Sequence, residues 1–264
     1  MNKIVEQVLG KYLDDGIIKI DSRFSRVFID IGTSFNAPNT EVWTRGNEEV
    51  FVIAVEPNPK NVESLKYGNW LQCPYGSGWK HELQLNPNLI DNQVYLLEAA
   101  LSSGEPRYSD FYCTDSSNDP GCSSLYKPMD NFSVALEEKI SVPTFSLMEI
   151  MKIFPWDKFP FIEHLKIDAQ SSDYDIILGM GEYLKRVLYL TVETHTIDSV
   201  TKQPQYHNSN ENPDKLKSYI EDNGFVCKKW GDNAYFYNKN LREYWEDNDD
   251  GFEFFNCDIY YQGK

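Results

Sequence analysis

The sequence lacks the long apolar run that a membrane-spanning helix requires. No stretch of it approaches the roughly 20 consecutive apolar residues that are needed to cross a bilayer. The first residues, MNKIVEQVLGKYLDDG, are polar and lack the continuous apolar core and small-residue cleavage site of a secretory signal peptide. These absences predict a cytoplasmic protein that does not enter a membrane.

Positive charge is also scarce. The chain of 264 residues carries 25 Lys and Arg against 41 Asp and Glu, which gives a net charge of -16 and a pI near 4.6. The basic residues are scattered rather than clustered. Because a strongly acidic surface repels phosphate groups, we expect no nucleic-acid partner and no attraction to anionic membranes. Wholesale disorder is excluded, since 14% of the residues are aromatic.

The motifs of several other site classes are missing. The sequence contains neither a P-loop nor the G-x-G-x-x-G pattern that cradles the pyrophosphate of a dinucleotide, which disfavours NAD. The cysteines show no CxxC or Cys/His spacing of a zinc site, and scattered thiols are typical of intracellular proteins. A disulfide between Cys113 and Cys122 could close one loop. The five cysteines are Cys73, Cys113, Cys122, Cys227 and Cys257.

What the sequence does contain is a regular alternation of strand and helix patterns. Short apolar runs at 27–32, 50–55, 94–97, 164–167 and 187–192 predict buried parallel strands. Helical patterns at 3–14, 60–66, 173–178 and 214–222 accompany them, and two strands at 225–229 and 234–237 flank a Gly231-Asp232-Asn233 turn. The pattern predicts an α/β fold, a Rossmann-like doubly wound and mostly parallel seven-stranded sheet with a C-terminal antiparallel hairpin.

We expect one domain over 1–264, with an N-terminal helical extension at 1–22. Two segments, 67–92 and 102–133, are long for connections in a compact domain and are predicted to be insertion loops. Their aromatic residues could form a lid over a bound ligand, or could be surface decoration packed by its own side chains. These residues are Trp70, Tyr75, Trp79, Tyr108, Tyr112 and Tyr126.

Acidic residues stand at four of the five predicted strand ends, namely Asp30, Glu56, Asp168 and Glu193. Because ligands of open parallel sheets bind at this edge, the acids would repel one another unless a cationic or hydroxyl-rich ligand lay among them. S-adenosylmethionine fits, since it carries a sulfonium, an amino group and a ribose diol. Glu56 is placed to accept both ribose hydroxyls, Gly32 lets the backbone approach the ligand, and Asp30 could hold the amino group directly or through water.

Four segments, in this order, also resemble a known family. They are Phe28-Ile29-Asp30-Ile31-Gly32, Val55-Glu56-Pro57-Asn58-Pro59, Ala99-Ala100-Leu101-Ser102 and Leu165-Lys166-Ile167-Asp168-Ala169-Gln170. Together with Ser123-Ser124-Leu125, and over residues 24–195, they resemble the FkbM-type class I methyltransferases. The resemblance implies S-adenosylmethionine as donor and O-methylation of a sugar, a glycan or a glycosylated natural product. By position it implies donor binding by Asp30, Gly32, Glu56, Pro57, Asn58, Ala99, Ala100 and Ser102.

The sequence departs from the family pattern at two places. Asn36 stands where a second glycine is usual, and Ser171-Ser172-Asp173 replaces a Gly-x-Glu element. Because Asn tolerates left-handed backbone conformations, we expect the turn at Asn36 to be retained. The departures leave a second hypothesis open, a catalytically silent relative that acts as a glycan-binding or assembly module.

Methyl transfer to a hydroxyl of a small molecule or glycan calls for a general base, and His195, Asp168 and Glu193 are the candidates. His195 follows the fifth strand and has a suitable pKa, although it could be a solvated loop histidine. Asp168 could instead hold the donor or, with Asp173 or Glu193, bind a divalent cation such as Mg²⁺. The acids permit a metal site without predicting one. Lys166 is expected to pair with an acid near it.

Overall fold

The computed structural model describes residues 1–68, 83–114, 120–130, 132, 134–194, 204–209 and 212–244. Its α-helices are α1 (Lys3–Leu9), α2 (Pro38–Thr44), α3 (Pro59–Tyr67), α4 (Leu147–Met151), α5 (Asp173–Leu178) and α6 (Pro213–Asp222). Its strands are β1 (Leu13–Asp14), β2 (Ile17–Ile18), β3 (Arg26–Ile31), β4 (Val50–Val55), β5 (Val94–Leu97), β6 (Ala100–Leu101), β7 (Arg107–Thr114), β8 (Leu136–Phe145), β9 (Ile162–Ile167), β10 (Val187–Glu193), β11 (Phe225–Lys229) and β12 (Asn233–Asn238). Short 3-10 helices cover Gly10–Tyr12, Pro87–Leu89, Pro120–Cys122, Gly181–Arg186 and Lys239–Tyr244.

Seven strands form the central sheet, in the order β11-β12-β10-β9-β3-β4-β5. Neighbouring strands from β10 to β5 are parallel, and β12 pairs antiparallel with both β10 and β11. This confirms the predicted α/β class and the mostly parallel seven-stranded sheet. The chain proceeds from β3 to β4 and β5 on one side and returns to β9 on the other. The direction of winding therefore reverses between β3 and β9, the place where open parallel sheets bind ligands.

Helices cover both faces of this sheet. On β3, Ile29 belongs to a cluster that includes residues of α1, α4, α5 and α6, whereas Phe28 belongs to a cluster with residues of α2 and α3. The rings of Phe28 and Trp43 meet edge to face with centroids 5.2 Å apart. Because strands covered on both faces must be apolar throughout, their sequences read as continuous apolar runs.

The N-terminal helix is shorter than the predicted 3–14. It begins at an Asn2 cap, whose side chain accepts the N–H of Ile4, and α1 ends at Leu9. After the 3-10 turn, β1 pairs with β2 across a two-residue turn in which Asp15 and Gly16 have φ of 52° and 80°. An Asp-Gly pair favours this hairpin turn, and the hairpin competes with helix over the last residues of the pattern.

The predicted insertion loop at 102–133 contains regular structure. Strand β7 lies within it and pairs antiparallel with β8, and β8 pairs in parallel with β6 to complete a three-stranded sheet. Phe111 and Cys113 alternate with more exposed residues of β7 and are buried against Val142. This period of two is hidden in a polar sequence, which is why composition predicted a loop. Cys113 and Cys122 are not joined by a disulfide.

The longest described helix is α6, with 10 residues. Within the described ranges, none of the helices has the length and hydropathy of a membrane span.

Candidate active site

A crevice of about 470 Å³ opens where β3, β4 and β9 end. Gly32, Glu56, Pro57, Ala99 and Ala100, all predicted donor-binding residues, line it, and so does Asp168. Three other predicted residues, Asp30, Asn58 and Ser102, are buried behind its wall. The structure therefore brings most of the predicted set to a single site at the winding reversal.

Glu56 follows β4 and is held by hydrogen bonds from three directions. Its Oε2 accepts the backbone N–H of Ser34 at 2.9 Å, and its Oε1 accepts the N–H of Asn58 at 2.9 Å and the amide of Asn61 at 3.3 Å. The side chain lines the crevice although the residue is only 4% exposed. Burial raises the pKa of Glu56 to about 7, and the hydrogen bonds partly offset this rise.

Asn58 contributes to the site through its backbone, while its side chain organises the loop. Its carbonyl oxygen Oδ1 caps α3 by accepting the N–H of Lys60 at 3.0 Å. Its Nδ2 donates to Ser123 Oγ at 3.1 Å. The capped start of α3 thus fixes the direction in which the N–H of Asn58 points toward Glu56.

The loop after β3 keeps its turn without a glycine at Asn36, but not in the expected way. The left-handed residues are Ser34 and Ala37, with φ of 60° and 46°. Asn36 instead reaches the segment before β5, where its Nδ2 donates to the carbonyl of Leu83 at 3.4 Å and its carbonyl accepts the N–H of Leu85 at 3.0 Å. The turn is therefore retained through Ser34 and Ala37 rather than through Asn36, and the N–H of Ser34 donates to Glu56.

Gly32 joins the two sides of the winding reversal. It has a φ of +73°, and a Cβ on it would lie 1.7 Å from the carbonyl oxygen of Asp168. Glycine is required here mainly because the loop after β9 approaches so closely. Its place on the crevice wall is a second reason. Its own carbonyl accepts a hydrogen bond from Lys166 Nζ at 2.8 Å.

Lys166 pairs with Asp30 on the neighbouring strand β3 and with Asp168 at the end of its own strand β9, in the role expected for it. Its Nζ lies 3.5 Å from Asp30 Oδ1 and 3.5 Å from Asp168 Oδ2. Asp30 is 0% exposed, and its Oδ2 accepts the hydroxyl of Thr40 at 2.7 Å. Burial raises the pKa of Asp30, and Lys166 opposes that rise. Asp30 thus lies under the crevice, where it anchors Lys166.

Ser102 and the two alanines have different positions. Ala99 and Ala100 line the crevice, and Ala100 begins β6. Ser102 Oγ instead accepts hydrogen bonds from the N–H of Gly104 and from Arg107, both at 3.3 Å. Ser102 therefore holds the start of the β6–β8–β7 sheet.

The predicted catalytic acids Asp168 and Glu193 lie together, with Gln170 between them. Gln170 Nε2 donates to Asp168 Oδ1 at 2.9 Å and to Glu193 Oε2 at 3.0 Å. Burial raises the pKa of Glu193 well above its ordinary value, and the charges of Asp168 and Asp173 raise it further. Glu193 therefore retains its proton at a pH where an ordinary glutamate has lost it. His195, the third candidate, lies outside the described residues.

Asp173 has a structural position at the start of α5. Its Oδ1 accepts the N–H of Ala169 at 2.9 Å, and the residue is buried. Asp168, Asp173 and Glu193 were the possible ligands of a divalent cation. In the described part of the chain, no group of three or more His, Cys, Asp or Glu side chains is arranged to hold a metal ion.

The loop between Asp168 and α5 contains two left-handed residues in succession. Gln170 has a φ of 52° and Ser171 a φ of 72°. Ser171 stands where the family pattern has glycine, so the structure gives this position the conformation that glycine adopts most readily. The turn is retained with a serine in a conformation that serine disfavours.

Residues 121–126, which we call the covering segment, form part of the crevice wall. Gly121, Ser123 and Leu125 line the crevice. Ser123 Oγ is bonded to Asn58, and Ser124 Oγ donates to the carbonyl of Gln170 at 2.6 Å. The segment is therefore tied to both the Glu56 side and the Asp168 side.

Only part of the predicted aromatic lid lies within the described residues. Tyr108 is exposed and donates to Gln7 Oε1 at 2.7 Å, and Tyr126 donates to Asp175 at 2.7 Å. Trp70, Tyr75 and Trp79 fall within 69–82, outside the described residues. Phe111 does line the crevice, and sequence reasoning missed it. The alternation of Phe111 and Cys113 with polar residues on β7 was the sequence pattern that could have indicated it.

Comparison with known proteins bears on the whole site. A family model described as the methyltransferase FkbM domain matches residues 30–227, which contain every residue of the crevice discussed above. Neither a search of curated proteins nor a search of solved structures gave a match. The match spans three quarters of the 264 residues and agrees with the resemblance carried by the strand ends. The chain belongs to the FkbM methyltransferase family.

Proposed function

We propose that this methyltransferase uses S-adenosylmethionine to methylate a hydroxyl group of a sugar, a glycan or a glycosylated natural product. The observation that carries the proposal is the carboxylate of Glu56, which two backbone N–H groups hold on the crevice wall at the end of β4. A carboxylate has about four acceptor sites, so Oε2, which accepts one hydrogen bond, retains capacity for a ligand hydroxyl. A ribose diol supplies such donors.

The remaining walls of the crevice suit a nucleoside. Ala99, Ala100, Leu101, Phe111 and Leu125 give it an apolar lining near Glu56. Ser172 also lines the crevice, and its buried Oγ has no hydrogen-bond partner within the described part of the chain. A buried hydroxyl without a partner is unfavourable and is a reason to expect a polar ligand group beside it.

The chemistry supplied by the bound donor is an electrophilic methyl group on a sulfonium. The acceptor oxygen forms a bond to that carbon, the carbon–sulfur bond breaks with its electron pair going to sulfur, and the hydroxyl proton must go to a base. Asp168 is best placed to receive it, because it lines the crevice and its side chain is 33% exposed. Glu193 is not part of the crevice lining, and burial raises its pKa.

The polar groups at this end of the crevice favour an uncharged, hydroxyl-rich acceptor. Asp168, Gln170 and Glu193 offer carboxyl and amide groups that hydrogen-bond to hydroxyls. Lys166, the cation among them, is buried and faces Asp30 and Asp168. A negatively charged acceptor would meet acidic side chains instead of a free cation of this cluster.

The alternative of a silent relative rested on the two missing glycines. Ser171 adopts a φ of 72°, and the turn after β3 forms with Ser34 and Ala37 in left-handed conformations. Since both loops keep their turns, neither departure supports loss of the donor site.

The test is transfer of a labelled methyl group from S-adenosylmethionine to a panel of neutral glycosides. We expect label in at least one glycoside, and loss of transfer in Asp168→Asn while S-adenosylhomocysteine still binds. Binding of neutral glycosides by a protein that does not bind S-adenosylhomocysteine would favour the silent module and contradict the proposal.

A further inference from the structure

The side chain of Gln170 bridges the two acids at the end of the crevice. Its Nε2 is 2.9 Å from Asp168 Oδ1, 3.0 Å from Glu193 Oε2 and 3.3 Å from Glu193 Oε1. An amide nitrogen has two hydrogens, so one can point to each carboxyl group. Gln170 thereby contacts both carboxyl groups and helps to hold them side by side.

Tyr206, from a distant part of the chain, fixes the orientation of this amide. Its hydroxyl is 3.0 Å from Gln170 Oε1 and 2.7 Å from the carbonyl oxygen of Cys122. Tyr206 is 2% exposed and packs edge to face on Phe132 with ring centroids 5.4 Å apart. A flipped amide would place its carbonyl oxygen against both acids, whereas in the observed orientation that oxygen can accept the Tyr206 hydroxyl.

The backbone of Gln170 is held just as firmly. Its φ of 52° is a left-handed conformation that glutamine disfavours, and its carbonyl accepts the hydroxyl of Ser124 at 2.6 Å. Strained residues persist only where the surrounding structure fixes them, and they cluster at functional sites. The covering segment and Tyr206 together supply that restraint.

We propose that Gln170 is a positioning residue that ties Asp168 to Glu193 so that the Asp168 side chain faces the acceptor, and that Tyr206 sets the orientation of the Gln170 amide. The inference rests on the proposed methyl transfer, in which Asp168 receives the proton of the acceptor hydroxyl. The charged groups around the pair act in opposite directions: Lys166, whose Nζ lies 3.5 Å from Asp168 Oδ2, lowers the pKa of Glu193, whereas the negative charge of Asp173 raises it.

The decisive variant is Gln170→Glu, which keeps the shape of the side chain and replaces its N–H donors by a carboxyl oxygen. Three carboxyl groups would then converge, so the introduced carboxyl should titrate at least one pH unit above the value of about 4.3 for an unperturbed glutamate. The readout is a ¹³C NMR titration of side-chain carboxyls. Gln7→Glu, on the exposed surface of α1, is the matched control and should titrate at or below that ordinary value, because Tyr108 donates a hydrogen bond to this position.

The titration does not depend on catalysis, which separates the two claims. If the introduced carboxyl of Gln170→Glu titrates like that of Gln7→Glu, Gln170 does not hold the acids together and the inference fails. If the wild-type protein fails to bind S-adenosylhomocysteine in the same samples, the proposed function fails instead.

Tyr206→Phe provides the second test, with a readout that a purely structural role would not move. Removing the hydroxyl should lower kcat about fivefold, the effect of one neutral hydrogen bond, and shift the acidic limb of its pH profile while KM for the donor is unchanged. An unchanged kcat and pH profile would overturn the role assigned to Tyr206.

Discussion

Two glutamates at the same edge of the sheet are held in opposite ways. Glu56 accepts two backbone N–H groups and one amide, and burial raises its pKa to about 7. Glu193 faces the side chains of Gln170, Asp168 and Asp173, and the neighbouring charges add to the effect of burial on its pKa. Backbone donors prepare the first for a ligand's hydroxyl groups, whereas burial, reinforced by like-charged neighbours, raises the pKa of the second.

This difference shows which half of the site is formed by residues that are close together in the sequence. Ser34 and Asn58 lie in short loops directly after β3 and β4, so turn geometry alone presents their N–H groups to Glu56. The acid pair depends on side chains from separate segments, including Tyr206. Perturbations of the Glu56 side should therefore act on donor binding, and perturbations of the Asp168 side on proton transfer.

The largest effect should come from Gly32, which connects the two halves. Gly32→Ala places a Cβ 1.7 Å from the carbonyl oxygen of Asp168 at a φ of +73°. We expect a loss of about 2–5 kcal/mol in the free energy of unfolding, from backbone strain and overpacking combined. Chemical denaturation measures it.

Gly46→Ala is the matched control for Gly32→Ala. Gly46 has a similar φ of +75°, and nothing lies within 4 Å of the added Cβ. Its cost should be only about 1 kcal/mol, from backbone strain alone. Equal losses in the two variants would show that the halves do not meet closely at Gly32.

The second effect is a pH dependence that belongs to Glu56. Its pKa is raised from an ordinary value near 4.5 to about 7 in the folded protein. Protonation of Glu56 therefore makes its full contribution to the free energy of unfolding below about pH 4.5. This contribution is lost as the pH rises through about 7. Relative to Glu56→Gln, the wild type should lose up to about 3 kcal/mol of unfolding free energy between about pH 4 and about pH 9.

Denaturation of both proteins across this range measures the difference. If the difference in unfolding free energy were the same at all pH values, Glu56 would not be a buried carboxyl group with a raised pKa. Glu56 and Glu193 would then differ only in position.

The third effect is on donor binding. Glu56→Gln removes the charge that strengthens hydrogen bonds to ligand hydroxyls, and we expect binding of S-adenosylhomocysteine to weaken about 100-fold. Isothermal titration calorimetry measures the change. Glu63→Gln, an exposed position on α3, should bind like the wild type. Equal affinity of the two variants for S-adenosylhomocysteine would show that Glu56 does not bind the donor.

The smallest effect should be a gain in stability. Ser171→Gly relieves the left-handed conformation at φ 72°, and its buried hydroxyl has no partner in the described part of the chain. We expect a stabilisation of up to about 1 kcal/mol, since relief of strain outweighs the entropy cost of glycine. Ser172→Gly, at a φ of -101°, should instead destabilise. Thermal unfolding of both variants checks the sign.

The sequence predicted the central sheet well because its strands are buried on both faces. The runs at 50–55 and 94–97 correspond to β4 and β5 residue for residue. Strands β7 and β8 were not predicted, since one face of them is exposed and polar and each becomes regular only through pairing with the other. The N-terminal helix was extended too far because a local hairpin turn competes with the helical period.

At the site, the strand ends indicated Glu56, Gly32 and Asp168, and all three line the crevice. Asp30 was expected to face the ligand, yet Lys166 and Thr40 take its oxygens, and no periodicity in the sequence indicates such a pairing. The contact of Tyr206 with Gln170 joins residues 36 positions apart, in a segment without a strand or helix pattern. Contacts of this kind arise from tertiary packing and leave no local signal.

The central claim, that Glu56 holds the ribose of a methyl donor, is tested most directly by a crystal structure of the protein with S-adenosylhomocysteine. We predict that the ribose hydroxyls lie within hydrogen-bond distance of the Glu56 carboxylate, with the sulfur directed toward Asp168. A nucleoside bound elsewhere, with protein side chains covering Glu56, would contradict the account.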